Sequence, residues 1–136
     1  MSKAVIDTNV LVRLFVRDDR IKAASGKKLL EQALANGHVF DVPGIVLLEL
    51  VWVLEKHYKI ERPQVREYAE SVLNTPVFRC EMENVFRKAL EDYVERRVKF
   101  ADAVIAAWGM ERGIKTVYTF DERDFKKIKG IEARKP

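Results

Sequence analysis

The length, composition and charge of this chain exclude several classes of protein. It has 136 residues, 48% of them hydrophobic and 34% charged, and a formal net charge of +4 at pH 7. These proportions are typical of a globular domain with its own core and exclude a disordered chain. No apolar run approaches the roughly 20 residues that a membrane span requires, and no signal-peptide pattern is present. We therefore expect a cytoplasmic protein without membrane contact.

Cysteine and histidine are too scarce to carry metal chemistry. The single cysteine, Cys80, cannot form an internal disulfide, and His38 and His57 add too few ligands for a zinc cage. The modest positive charge permits a polyanionic partner without requiring one. The remaining candidates for metal ligands are carboxylates.

The predicted elements of the first half alternate between strand and helix. They are a strand over 3–6, a helical turn over 10–16, a helix over 20–36, a strand over 39–42 and a helix over 45–58. Asp18 and Asp19 are placed to cap the second of these helices, and Gly37 to end it. The last helix is almost wholly apolar after Pro43, and we expect it to be buried.

The second half continues this alternation. It reads as a helix over 63–73, a strand over 77–79, helices over 84–96 and 101–112, and a β-branched strand over 115–120. Alternation along the whole chain predicts an α/β fold, with a parallel β-sheet flanked by helices on both faces. Neither a linker nor a repeat interrupts it, so a single domain over 1–136 is expected.

Four carboxylates lie inside or at the ends of apolar runs. They are Asp7, Glu49, Asp102 and Asp121. An ionised carboxylate removed from water without a partner costs several kcal/mol, roughly, so a fold that gathers four of them needs a compensating cation. Hard oxygen ligands favour Mg2+ or Mn2+.

The predicted elements also suggest how these carboxylates meet. Asp7 and Asp121 each follow a strand, and in open parallel sheets ligands bind beyond the carboxyl ends of the strands. Asp102 falls in the first turn of its helix, where the helix dipole tolerates an anion. Glu49 would reach this edge of the sheet, the rim formed by the carboxyl ends of the strands, from one side through its longer side chain.

Each acid also has an ordinary explanation. Asp7 and Asp102 are placed as helix caps and Asp121 as a turn residue, whereas Glu49 has no basic residue at helical spacing in its own helix. The coincidence of all four is what favours a metal site. Two further acids, Asp41 and Asp124, lie near enough in the pattern to be additional candidates.

These residues in their local context resemble the PIN-domain nucleases. The matching segments are Ile6-Asp7-Thr8-Asn9, Leu48-Glu49-Leu50, Phe100-Ala101-Asp102-Ala103 and Thr119-Phe120-Asp121-Glu122. The resemblance extends over essentially the whole chain and is greatest to the VapC-like toxins of toxin–antitoxin pairs. It implies a three-layer α/β/α fold and an acidic quartet of Asp7, Glu49, Asp102 and Asp121 that binds Mg2+ or Mn2+.

The resemblance further implies metal-dependent hydrolysis of RNA phosphodiesters, with water as the nucleophile. Thr8 or Asn9, Thr119 and Asp124 would support the ligands by hydrogen bonds. It also implies an RNA substrate, a cognate antitoxin and a homodimer. Aromatic residues on apolar stretches offer limited support for the homodimer. Those aromatics are Trp52, Tyr58 and Trp108, residues that more often lie in a core.

Basic residues flank two of the four acids. The cations before Asp102 are Arg96, Arg97 and Lys99, and those after Asp121 are Arg123, Lys126 and Lys127. Positive charge on both approaches suits the phosphate backbone of RNA, although a solvated basic face explains any single one of them equally well.

Three other functions compete with this interpretation. A phosphatase with an aspartate nucleophile would want a second aspartate two residues after Asp7, where this chain has Asn9. An inert RNA-binding or interaction module, and an RNA-processing nuclease without an antitoxin, both remain open at the level of sequence.

Overall fold

The computed structural model describes residues 3–136 and falls into two compact units, one up to Glu81 and one from Met82 to Pro136. The expected single domain stays a prediction, and each unit is described by itself. In the described part of the chain, no helix has both the length and the apolar character to cross a bilayer.

The first unit is built on a three-stranded parallel sheet. Its elements are β1 (Lys3–Val5), α1 (Thr8–Phe15), α2 (Arg20–Asn36), β2 (Val39–Val42), α3 (Gly44–Trp52), a π-helical turn (Val53–His57), α4 (Arg62–Asn74) and β3 (Phe78–Cys80). The strand order is β1-β2-β3, with Val5 opposite Asp41 and Val42 opposite Cys80. Helical and strand segments agree with the sequence prediction to within two residues, and the π-helical turn is new.

The prediction that the apolar helix after Pro43 is buried throughout is wrong for one of its faces. Leu47, Leu50 and Val51 of α3 are buried, but Ile45 is 68% exposed and Trp52 60% exposed. Apolar content does not tell which side of a helix is covered. Here α1 and α4 contact α3, and the opposite side faces solvent.

The second unit combines a helical pair with a short parallel sheet. Its elements are α5 (Glu83–Glu95), α6 (Phe100–Glu111), β4 (Thr116–Tyr118), α7 (Glu122–Lys126) and β5 (Glu132–Arg134). Helices α5 and α6 pack together through Tyr93 and Phe100, whose ring centroids lie 5.5 Å apart in an edge-to-face arrangement. This aromatic contact places the first turn of α6, and with it Asp102.

Strands β4 and β5 pair in parallel, with Val117 opposite Ala133. The sequence did not predict α7 or β5, because neither segment shows a clear apolar period. The predicted α/β class with parallel strands and helices is confirmed. Since β1 and β4 belong to different sheets among the described residues, strand pairing alone does not place Asp7 and Asp121 on a common rim.

Gly37 provides a test of the α2 terminus. Its φ of 67° is left-handed, and a Cβ added there would meet nothing within 4 Å. We expect Gly37→Ala to lower the free energy of unfolding by about 1 kcal/mol from backbone strain alone. Gly37→Asn should lose less, because asparagine tolerates this conformation. Urea denaturation of both variants measures the difference, and equal stability of alanine and glycine would contradict the assignment.

Candidate functional site

Asp7 occupies the N-cap position of α1 but does not cap it. Its backbone is extended, and its exposed side chain accepts no hydrogen bond from the first turn of the helix. Asp19, in the equivalent position of α2, accepts one from the backbone N–H of Lys22 at 3.0 Å. Capping therefore does not explain Asp7, and its carboxylate faces solvent with its ligand capacity unused within the described residues.

The residues after Asp7 differ in their surroundings. Thr8 is only 4% exposed, and within residues 3–136 its Oγ1 has no hydrogen-bond partner, an arrangement that calls for a water or another ligand. Asn9 is exposed. The described part of the chain shows no hydrogen bond from either residue to a predicted metal ligand, so their supporting role stays a prediction.

Glu49 lies on the exposed side of α3. The start of that helix is held by Glu81, whose Oε1 accepts a hydrogen bond from the backbone N–H of Gly44 at 2.9 Å. Sequence reasoning missed Glu81, although a carboxylate directly after β3 repeats the placement of Asp7 after β1. The other candidate in this unit, Asp41, forms an ion pair at 3.8 Å with Arg79 on the neighbouring strand.

The second unit brings several acids into electrostatic range of one another. Burial raises the pKa of Asp102, the charges of Asp124 and Asp121 raise it further, and Lys99 lowers it. Asp102 is half-buried in the first turn of α6. Like charges this close oppose ionisation of the group, which is the electrostatic condition that a bound cation relieves.

Asp124 organises this group. It is 6% exposed, and its Oδ2 accepts a hydrogen bond from the backbone N–H of Lys99 at 2.9 Å. Its Oδ1 lies 3.7 Å from the Lys127 Nζ. The carboxylate thus joins the start of α6 to α7 and fixes where Asp102 lies relative to Asp121.

Asp121 serves two purposes. Its Oδ1 caps α7 by accepting from the backbone N–H of Arg123 at 3.3 Å, and its Oδ2 lies 3.7 Å from the Lys99 Nζ. The hydroxyl of Thr119 accepts from the backbone N–H of Asp121 at 3.0 Å and donates to the Asp121 carbonyl at 3.1 Å. Thr119 therefore orients Asp121 through its backbone.

The expectation that these acids are desolvated is wrong for three of them. Asp7, Glu49 and Asp121 are exposed, and Asp102 is half-buried. Two of the acids follow strands at helix N-caps, and Glu49 lies on the uncovered side of its helix, so an apolar sequence neighbourhood does not imply burial. Among the described residues, the buried acids are Asp92 and Asp124.

The predicted RNA-binding cations divide into engaged and free side chains. Arg96 lies 3.3 Å from the buried Asp92 and donates to the Lys127 carbonyl at 3.2 Å, and Lys126 pairs with Glu122 at 3.4 Å. Arg97 and Arg123 are exposed and form no ion pair with other residues in the 3–136 range. These two are the cations most available to a phosphate backbone.

The acids fit a divalent cation by their chemistry. Among the described residues, no three acidic, histidine or cysteine side chains form a ready cage for a metal. Magnesium does not require one, because it commonly binds one or two carboxylates and completes its shell with water and substrate phosphates. In the first unit the unpaired carboxylate of Asp7, and in the second the mutually repelling acids around Asp102, are each ligands of the kind that magnesium binds.

Comparison with known proteins assigns the family. The PIN domain model matches residues 4–131. The chain therefore belongs to the PIN-domain family, which confirms the resemblance found in the sequence. A VapC ribonuclease of Aquifex aeolicus (strain VF5) is 33% identical over 124 residues, covering 91% of this chain and 90% of that protein.

A solved structure is also similar. The crystal structure of Mycobacterium tuberculosis VapC20, described as a Sarcin-Ricin loop cleaving toxin, shares 22% identity with this chain. The similarity covers 90% of this chain and 92% of that one, with a TM-score of 0.44.

The electrostatics of Asp102 predict a pH effect in the metal-free protein. Because its pKa is raised in the folded state, ionised Asp102 destabilises the fold at neutral pH. Asp102→Asn should therefore melt at or above the wild type in EDTA at pH 7. The difference in melting temperature between the two proteins should shrink as the pH falls through the raised pKa of Asp102 toward the ordinary aspartate value, since the wild-type carboxyl is then protonated. Thermal melts of both proteins across that range would contradict the account if Asp102→Asn were less stable at pH 7.

Proposed function

We propose that this protein is an endoribonuclease of the VapC type that hydrolyses RNA phosphodiester bonds with Mg2+ or Mn2+. The observation that carries the proposal is the group formed by Asp102, Asp121 and Asp124 in a PIN-domain chain. The ribonuclease name of its Aquifex relative, which it matches over nearly the whole length, supports the same activity. An inert RNA-binding module would have no use for carboxylates that repel one another.

Asp7, Glu49, Asp102 and Asp121 would hold the metal. Asp7 and Glu49 are exposed acids, and Asp7 leaves its cap hydrogen bond unmade. Asp102 has a raised pKa among neighbouring acids, and Asp121 is oriented by Thr119. A bound divalent ion would supply activation of water and compensation of the charge that develops on the phosphate.

The chain's own residues orient the reactants. Asp124 holds the start of α6, so that Asp102 and Lys99 keep their places beside Asp121. Lys99 balances the charge of Asp121 while the site is free, and its ammonium is exposed enough to turn toward an RNA phosphate. Arg97 and Arg123 contribute charge that binds the backbone without reading its sequence.

Substitution of single ligands tests the reaction. Asp7→Asn and Asp102→Asn should abolish RNA cleavage while circular dichroism shows an intact fold, because each change removes a ligand charge. EDTA should have the same effect, and added magnesium or manganese should restore the wild type. Asp19→Asn is the matched control, an aspartate that caps α2 and should leave cleavage unchanged. Cleavage by Asp102→Asn at the wild-type rate would contradict the proposal.

The division among the cations gives a second test. Arg97→Ala and Arg123→Ala should each weaken binding of single-stranded RNA and reduce the slope of log affinity against log salt by roughly 0.7, the value for one lost contact. Arg96→Ala should instead lower thermal stability, because it removes one of the two cations, Arg96 and Lys88, that pair with the buried Asp92. Filter binding at several salt concentrations measures the slopes. Unchanged slopes for both variants would remove these arginines from the RNA surface.

We further propose that the protein is a homodimer inhibited by a cognate antitoxin. Two apolar side chains on α6 are exposed, Ile105 at 51% and Trp108 at 42%, and exposed apolar side chains on one helix support an interface. Light scattering should give the mass of a dimer at micromolar concentration, and a co-encoded small protein should inhibit cleavage. A monomeric mass would contradict the homodimer. Cleavage that no co-encoded protein inhibits would favour an RNA-processing nuclease without an antitoxin.

A further inference from the structure

The outward face of α3 carries an unusual series of side chains. Ile45, Glu49 and Trp52 follow one another at helical spacings of four and three residues, and all three are exposed. They therefore form a single stripe, on the side of the helix opposite the buried Leu47 and Leu50. A carboxylate proposed to hold the metal thus lies between two uncovered apolar side chains.

Trp52 is the more informative of these neighbours. Its side chain is 60% exposed, although burial of so large an aromatic would stabilise the fold. It ends α3, where the chain widens into the π-helical turn, a feature that frequently marks functional sites. Lys56, also exposed, follows within that turn.

We propose that Trp52 is a stacking platform for one base of the RNA substrate, next to the phosphate that a cation bound at Glu49 would hold. The inference rests on the proposed function and identifies a positioning residue for it. Residues three apart on a helix have Cβ atoms about 5–6 Å from one another, so a strand whose phosphate approaches Glu49 brings a flanking base to Trp52. Stacking on an aromatic ring accepts any base, because every base has a π-face.

The carboxylate of Glu49 within the stripe disfavours a protein as the occupant. A second copy of the chain or a peptide that covered Trp52 would also cover Glu49, one turn away. It would have to desolvate an acid for which no ion pair is found among the described residues. A stacked base leaves the carboxylate free to meet its cation, and the exposed Lys56, whose ammonium lies 3.9 Å from Glu55, could turn from that weak pair to a neighbouring phosphate.

The test uses one RNA whose cleavage site has been mapped with the wild type, and versions of it with a single abasic nucleotide at each flanking position. For the wild type, one of these versions should have a KM raised by about thirtyfold, the middle of the range for one stacked base. Trp52→Ala should show the same rise with intact RNA, a nearly unchanged kcat, and no further loss with the abasic version. Trp52→Phe should retain most of the wild-type KM, and Ile45→Ala, the matched control on the same stripe, should be unaffected.

Fluorescence provides a reading that does not depend on turnover. In an Asp102→Asn, Trp108→Phe background, Trp52 is the remaining tryptophan, and the intact RNA should quench it more than the abasic version does. Equal quenching by intact and abasic RNA, or a Trp52→Ala variant with the wild-type KM, would overturn the inference and leave the proposed ribonuclease function standing. A change of molecular mass in Trp52→Ala would overturn it in favour of a second copy. If the wild type cuts no RNA, the proposed function itself fails and the inference falls with it.

Discussion

A single partly buried hydrogen bond, from the backbone N–H of Lys99 to the carboxylate of Asp124, determines the geometry of the acidic group. At 2.9 Å it joins the start of α6 to α7, and a charge-assisted bond of this kind is stronger than one between neutral groups. Lys127 extends the connection, because its ammonium lies 3.7 Å from Asp124 and donates to the Arg97 carbonyl at 3.4 Å. Arg97 has a φ of 55°, a left-handed conformation that persists where its surroundings hold it.

The consequence of this connection is a site that holds its own counterion. Lys99 follows from the same loop, and its ammonium lies 3.7 Å from Asp121. Exposed ion pairs of this type contribute little to stability in water, so Lys99 can leave Asp121 at small cost when a cation arrives. The acids around Asp102 repel one another without that cation, a sacrifice of stability that is common at functional sites.

Much of the fold could be predicted because the chain marks its elements locally. Asp19 accepts the capping hydrogen bond that its place before α2 suggests, and Gly37 ends that helix in the left-handed conformation. Helix α7 and strand β5 escaped prediction, since a short helix and a strand without β-branched residues depend on tertiary contacts for their stability. The bond between Gly44 and Glu81 spans 37 residues, and no local pattern reveals such a partner.

The sequence predicted which residues form the candidate site, but it did not predict how exposed their side chains are. The sequence shows that Asp7, Glu49, Asp102 and Asp121 interrupt apolar runs, but exposure depends on which side of each element is covered. An apolar run such as that of α3 contains both a buried face with Leu50 and an exposed one with Trp52. Asp124 was predicted as a supporting residue, but its burial and its hydrogen bond with the Lys99 backbone depend on tertiary contacts.

The chemical form of the RNA ends tests the central claim most directly. Hydrolysis by water at a metal-binding acidic site should leave linear phosphate monoester ends. In oxygen-18 water each new phosphate should carry one labelled oxygen, and in EDTA the reaction should stop. Mass spectrometry of the fragments reads all three. Cyclic 2′,3′-phosphate ends that continue to form in EDTA would mean that the RNA 2′-hydroxyl is the nucleophile and that the carboxylates hold no catalytic metal.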